Sequence, residues 1–300
     1  MRRVLVDSDC GVDDSLALSF MARSTACVLA GVTTTWGNCT AEEAAANARF
    51  VLSLATSGDV PVVAGSMPAS SWQRGSAHGR DGLGDTEQPR KPWSGPVGAP
   101  EKIVQFAQEN AGTAELLCIG PLTNLAAALT LEPNLPQQLR HVVVMAGHGD
   151  KQNDWLQTVG DTNTRHDPMA AQFVAESELA ITWVGIDVTR QVLLDEGDFG
   201  TDLLGRTLRR IHDSYGAQRG AAYGYAPQVE WKVPAHDGVT AACLVDDLTA
   251  KLTTFSGRMA VQDDSSGHVL RYAGPGHHRI AAGIDASSVR AMLRSSLRWG

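Results

Sequence analysis

The sequence predicts an α/β fold: an open, mostly parallel twisted sheet flanked by helices, with a small C-terminal β-rich appendage to the same domain, which spans residues 1–300. Three observations predict it. Apolar runs of strand length recur along the chain, helix-forming segments fall between most of them, and no Pro/Gly/Ser-rich linker isolates the C-terminal third. Strand alternating with helix implies βαβ units, right-handed crossovers and parallel neighbours. With 300 residues, 43% of them hydrophobic and 19% charged, the chain can bury a large core.

The strand-like runs are Val4–Val6, Val28–Thr34, Val60–Ala64, Leu116–Ile119, Val142–Met145 and Ile181–Val184. After the first, Leu16, Leu18, Phe20 and Met21 follow a helix start signal at Asp13 and Asp14. "AEEAAANARFVLSLA" is built from strong helix formers. "APEKIVQFAQENAG" has Pro at its start and Gly at its end, and "TNLAAALTL" and "DPMAAQFVAES" are rich in Ala. The stretch Gly65–Pro100, rich in Gly, Ser, Pro and His, is too long for an ordinary connector and reads as a functional loop region. In the last third, "KLTTFSGRMAV", "GHVLRYA" and "HHRIAAGID" read as short strands separated by turns. Val289, Met292, Leu293 and Leu297 then mark one face of a final helix.

A net charge of −8 argues against a nucleic-acid partner, whose footprint is a basic face; the basic clusters, such as Arg209-Arg210, are small. Cys10, Cys27, Cys39, Cys118 and Cys243 are odd in number and show no CxxC spacing, which fits reduced thiols and a cytoplasmic location. Two arginines follow Met1, but the next apolar stretch is short and broken by Asp7. The expectation is therefore no signal peptide, no transmembrane span and no membrane partner.

In open α/β sheets ligands bind at the carboxyl ends of the strands, so the residues that follow each run are the ones to collect. They are "DSDCGVDD", "TTTWGN" ending at Asn38, the loop "HGRDGLG" with His78, "IGPLTN", "MAGHGD", "GDTNTRHDP" with Asp161 and Asn163, and "VPAHDGVTAA" with His236 and Asp237. Asp7, Asp9, Asp13 and Asp14, crowded at one strand end, would repel one another unless a cation sat among them. Hard oxygen donors without a thiolate or paired histidines favour Ca²⁺ or Mg²⁺ over zinc. Each motif alone has a plainer explanation. Asp13 and Asp14 could simply charge a helix start, Cys10 could pack, His78 and His236 could be solvated, and Asn38 could close a turn. Their joint position after strands of one frame is what points to a site.

These blocks resemble the inosine-uridine type nucleoside hydrolase family. "DSDCGVDDSLAL" is similar to its DxDPGxDDAxA signature, with Cys10 where Pro is usual. "TTTWGN", "HGRDGLG", "IGPLTNLA", "VVVMAG", "DTNTRHDPMAA", "WVGIDVT" and "HDGVTAACLVDD" follow in the family's order from Val4 to Asp247. The resemblance implies hydrolysis of the N-glycosidic bond of a nucleoside around a Ca²⁺ ion held by Asp9, Asp14, Asp237 and the carbonyl of Ile119. It implies ribose contacts from Asp13, Asn38, Asp161, Asn163 and the shared Asp237, with Met145 packing in the same pocket and Asp7 behind the ligands. Asp9 becomes the general base, His236 the group that assists the leaving base, and His78 a second base-side group; the assembly implied is a homodimer or homotetramer.

Two departures stand out. Asp161-Thr162-Asn163 replaces the usual Glu-Phe-Asn, shortening a carboxylate and removing an aromatic ring. The segment from Met145 to Asp161 is longer than usual and carries Trp155. Two other readings stay open. One is a riboside-binding protein without catalysis. The other is a haloacid dehalogenase-type phosphatase with Asp7 as nucleophile, against which the paired Asp246-Asp247 falls at a helix rather than after a strand.

Overall fold

The computed structural model describes all residues except 66–71, 73, 76, 89, 150–159, 223–230, 265–266 and 299–300. The strands are β1 (Arg2–Ser8), β2 (Cys27–Thr34), β3 (Val62–Ala64), β4 (Ala114–Cys118), β5 (Leu139–Met145), β6 (Ile181–Val184), β7 (Leu193–Leu194), β8 (Val233–Pro234), β9 (Thr253–Gly257), β10 (Met259–Asp264), β11 (Gly267–Tyr272) and β12 (His278–Gly283). Eight of them form one sheet in the order β3-β2-β1-β4-β5-β6-β12-β9. Every pairing in it is parallel except that of β12 with β9, which is antiparallel. The helices are α1 (Val12–Arg23), α2 (Ala41–Ala55), α3 (Ala99–Glu109), α4 (Thr123–Leu131), α5 (Leu135–Gln138), α6 (Thr162–His166), α7 (Pro168–Ala175), α8 (Ile186–Thr189), α9 (Leu203–Ala222), α10 (His236–Val245) and α11 (Ala286–Leu297).

Alternation along the buried strands divides the core into two layers. Val4 and Val6 of β1, Leu117 of β4 and Val143 of β5 pack with α1, α2, α9, α10 and α11 on one face. Leu5, Leu116, Cys118, Val142 and Val144 pack with α3, α4 and α7 on the other. The period of two in strands sends neighbouring side chains to opposite faces, and helices on both faces explain the nearly continuous apolar runs.

Local chemistry sets the helix starts. Thr40 and Glu43 form a capping box on α2, and Asp167 caps α7 with Pro168 in its first turn. Asp285 likewise caps α11.

The expected strands are present, with shifted ends. The first runs through Asp7 to Ser8, so that Asp7 belongs to the strand and does not follow it. "KLTTFSGRMAV" is two strands, broken at Arg258. β9 and β12 extend the central sheet, as expected of an appendage to it, while β10 and β11 pair with each other as a separate ribbon. Helix α9 went unmarked in the sequence because its face is interrupted by charge, as in "RTLRRIHDS". Among the described residues all five cysteines are free and buried, and no helix is long and apolar enough to cross a membrane.

Candidate active site

The turn from β1 to α1 carries the acidic cluster at the carboxyl edge of the sheet. Asp14, in the first turn of α1, reaches back: its Oδ1 accepts from Ser8 Oγ at 2.6 Å and its Oδ2 from the Gly11 amide at 2.9 Å. Cys10 sits at φ 39°, in the left-handed region, which a proline locked near −65° cannot enter. The cysteine is thus more than a neutral replacement at this place. Gly11 and Gly37 permit two close approaches. A Cβ on Gly11 would lie 2.2 Å from Asn38 Nδ2 and 2.5 Å from His78 Nδ1, and one on Gly37 would lie 2.1 Å from Asp9 Oδ2.

Asn38, just beyond β2, ties the carboxylates together. Its amide donates to Asp9 Oδ2 at 2.8 Å, and its Nδ2 donates to Asp9 Oδ1 at 3.1 Å and to Asp14 Oδ2 at 3.3 Å. From the far side, α10 supplies Asp237, and carboxylate oxygens of Asp13, Asp14 and Asp237 lie within 4.8 Å of one another, all buried. Among the described residues no Lys or Arg forms a salt bridge with Asp9, Asp14 or Asp237.

Burial, and then the charge of Asp14, push the Asp9 carboxyl well above the usual carboxylate range. Asp237 is raised in the same way by burial and by Asp13, Asp14 and Asp9. Burial also raises Asp14, against the opposing hydrogen bonds from Ser8 and Gly11. Asp13, Asp14 and Asp237, gathered out of water, form a candidate metal site: an all-oxygen donor set whose mutual repulsion a hard divalent cation would relieve. The close trio differs from the implied ligand set. Asp13 stands with Asp14 and Asp237, while Asp9 is linked to Asp14 through Asn38.

The other anticipated residues fall into two groups. Asn163 Nδ2 donates to the carbonyl of Ile119 at 3.1 Å and to that of Met145 at 3.0 Å, which joins the ends of β4 and β5 to α6. His78 accepts from the Val12 amide at Nδ1, 3.0 Å away, with Asp13 Oδ1 at 3.8 Å. His236, in the first turn of α10, has Nδ1 2.8 Å from Thr189 Oγ1 of α8.

Asp161 is engaged differently. Its Oδ1 accepts from the Thr164 amide at 2.7 Å, capping α6, and its Oδ2 accepts from the Gly147 amide and from Thr164 Oγ1, each at 2.7 Å. With both oxygens satisfied by the protein, the shorter carboxylate acts as a brace between β5 and α6. Trp155 and the rest of 150–159 lie outside the described residues.

Several contributors carried too weak a signal to be assigned a role from sequence. Thr189 ends the block "WVGIDVT", and its hydroxyl matters only once α8 is laid against α10. The ring of Tyr215, on α9, lies 5.0 Å from that of His78. Trp36 packs edge-on against Trp72 and His166, with centroids at 6.2 and 5.7 Å, and burial, aided by Arg165, pushes His166 down to about 4. Asp7 holds Thr33 and Asn124 through Oδ1, at 2.7 and 2.8 Å, and its Oδ2 is buried with no hydrogen-bond partner among the described residues. A nucleophile sealed in this way has no access to a phosphate ester, which removes the support for the phosphatase reading.

Comparison with known proteins agrees with this geometry. Residues 4–291 match the family model described as inosine-uridine preferring nucleoside hydrolase. The chain is 32% identical over 202 residues to a probable uridine nucleosidase 2 of Oryza sativa subsp. japonica, covering 65% of this chain and 60% of that protein. It is 29% identical over 237 residues to an inosine-uridine preferring nucleoside hydrolase of Leishmania major, covering 72% and 75%. Among solved structures, a plant nucleoside hydrolase, the PpNRh1 enzyme, superposes with a TM-score of 0.86 at 25% identity, covering 100% of this chain and 99% of that one. The chain thus spans only about 60% of the length of the first of these relatives.

Proposed function

The chain belongs to the inosine-uridine preferring nucleoside hydrolase family, and from that premise we propose that it hydrolyses the N-glycosidic bond of a ribonucleoside or related N-riboside to free base and ribose. The observation that carries the reading is the convergence of Asp13, Asp14 and Asp237, with Asn38 bridging Asp14 to Asp9, at the carboxyl edge of the sheet. Cleavage of a C–N glycosidic bond passes through an oxocarbenium-like state, so the site needs a water on one face of the sugar, negative charge around it, and help for the departing base.

Asp9 is assigned as the base that takes the proton of the attacking water. Both its oxygens accept hydrogen bonds from Asn38, which fixes its orientation for proton transfer. Ca²⁺ is the proposed metal, held by Asp9, Asp14, Asp237 and the Ile119 carbonyl, with Asp13 close enough to join them. When bound, such an ion offsets the clustered charge and lowers the pKa of an adjacent water. Asp13, Asn38, Asp161, Asn163 and the shared Asp237 are assigned to the ribose hydroxyls, with Met145 packing in the same pocket; the hydrogen bonds that Asp161 accepts from Gly147 and Thr164 would fix its orientation there. His236 donates a proton or hydrogen bond to the departing base, and His78 lies on the base side.

The same proposal takes 1–300 as one nucleoside hydrolase-like domain, supported by the family match over residues 4–291. It places the protein in the cytoplasm, supported by five cysteines without a disulfide, as a homodimer or homotetramer on the strength of the resemblance.

The test is a panel of ribosides assayed for reducing sugar with added Ca²⁺ and then with a chelator. Sugar release that the chelator abolishes is expected. Tight riboside binding without turnover would favour a binding protein, and phosphate release from phosphate esters without sugar release would overturn the reading.

A further inference from the structure

At the opposite edge of the sheet, where the strands begin, lies a cavity of about 450 Å³. That volume is within the range that holds small metabolites, roughly 300–1,000 Å³. It is separated from the aspartate cluster by the length of the strands. It is lined by Glu115 of β4 and, opposite it in register, His141 of β5, and by Arg279 of β12, which stands opposite Thr182 of β6 behind the lining. His141 Nε2 lies 2.8 Å from Thr182 Oγ1.

Part of this lining has a structural task. Arg2 holds buried Glu115 through Nε and donates to the carbonyls of Leu244 and Val245, at 2.6 and 2.9 Å, which ties β1 to the C-terminal end of α10. That pair cancels in charge. What remains around the opening is the exposed Arg140, whose Nη1 lies 3.2 Å from Glu115, and Arg279, whose Nη2 lies 3.5 Å from Asp247 and whose Nε donates to Thr254 Oγ1 at 3.4 Å, together with His141, His277 and, among the described residues, the one further carboxylate, Asp247. Because Arg2 already neutralises buried Glu115, Arg140 and Arg279 are cations in excess of that buried carboxylate. They raise the potential: His141 is held below the usual imidazole range by burial first, with Arg279, Arg2 and Arg140 adding to it against Glu115. On a chain of net charge −8 this is a local positive site. One wall, formed by Ile181 and Leu244, is apolar.

We propose that this cavity binds a small phosphate-bearing molecule, its phosphate held between the guanidinium groups of Arg140 and Arg279 and its less polar body laid against Ile181 and Leu244. Guanidinium forks match phosphate oxygens in pairs, which favours phosphate over halide.

Calorimetric titration of the intact protein with inorganic phosphate, and separately with adenosine 5′-monophosphate, tests this at ionic strength held constant with chloride. Saturable binding of both is expected, tighter for the nucleotide, and weaker by about tenfold or more in R140Q/R279Q, since two charge-assisted contacts are lost. Riboside turnover of that variant should be unchanged, and its circular dichroism and melting should confirm the fold. Absence of saturable binding overturns the proposal. So does undiminished binding in the variant, which would place the phosphate elsewhere, and so does binding of inorganic phosphate without the nucleotide, because the cavity would then admit only a bare ion.

Discussion

Replacing Asp7 with Asn should make the protein's stability less sensitive to pH, and the size of the effect follows from the structure. Asp7 is 1% exposed, accepts hydrogen bonds at Oδ1 from Thr33 and Asn124, and leaves Oδ2 without a partner among the described residues. Burial, opposed by those two hydrogen bonds, raises its pKa from 3.8 to about 7. Between these values the folded state binds a proton that the unfolded state has released. Asp7 is therefore harmless below pH 4 and progressively destabilising as pH rises to about 7. At about 1.4 kcal/mol per pH unit the full loss is about 4 kcal/mol. Asn keeps an oxygen for Thr33 and Asn124 but puts an N–H in the place of Oδ2, at a cost of about 1–3 kcal/mol that does not depend on pH.

Asp7→Asn should thus fall about 1–3 kcal/mol below the parent near pH 4 and exceed it by about 1–3 kcal/mol at pH 8. Urea unfolding from pH 4 to 8, with a chelator in all samples, measures the difference between the two proteins. The raised Asp9, Asp14 and Asp237 are present in both and cancel. A difference constant across that range would refute the reasoning.

Ca²⁺ should raise the melting temperature at pH 8 and much less at pH 5, because protons compete for the same raised carboxylates; saturation at about a thousand times Kd corresponds to about 4 kcal/mol, and equal shifts at both pH values would refute it. Gly37→Ala should melt below the parent and lose most riboside hydrolysis, since its Cβ would lie 2.1 Å from Asp9 Oδ2 and must push that buried carboxylate aside; near-full activity would remove Asp9 from the base role. Thr189→Val should remove the hydroxyl that lies 2.8 Å from His236 Nδ1 and slow kcat about tenfold or more on ribosides with poor leaving groups, while p-nitrophenyl riboside is spared. Thr189→Ser should rescue it, and equal losses on both substrate types would mean that the pair only supports α10. The 2′-deoxyribosides should be poor substrates, because Asp13, Asn38 and Asp237 would be left with unpaired buried polar groups; equal kcat/KM on ribo and deoxyribo forms would refute the diol contacts.

Residues whose role is local were legible in the sequence. The runs around Val4–Val6 and Val142–Met145 announce buried strands because both faces are covered. The carboxylates after β1 announce a charge problem whatever the fold. The departures came from tertiary context. The pairing of β9 with β12 joins segments that local patterns cannot connect, and the 2.8 Å contact between Thr189 and His236 exists only after two helices meet. Asp161 shows a second role that the motif alone does not reveal. Its place in the motif suggests a ribose contact, and the structure adds that its carboxylate accepts from the Gly147 and Thr164 amides, a bracing that depends on how β5 and α6 meet.

The stitching of early residues to late ones bears on synthesis. Arg2 bonds to the carbonyls of Leu244 and Val245, Arg23 to that of Ser296, and α1 packs against α10 and α11. During translation Asp9 and Asp14 emerge first, but Asp237 leaves the ribosome only after most of the chain. The nascent β1–α1 unit therefore never confronts the whole crowd of carboxylates while it is alone. It can form and pair with β2 and β4 before Asp237 adds its charge, which happens only when α10 docks, after β1–β6 have been made but before β9 and β12 complete the sheet.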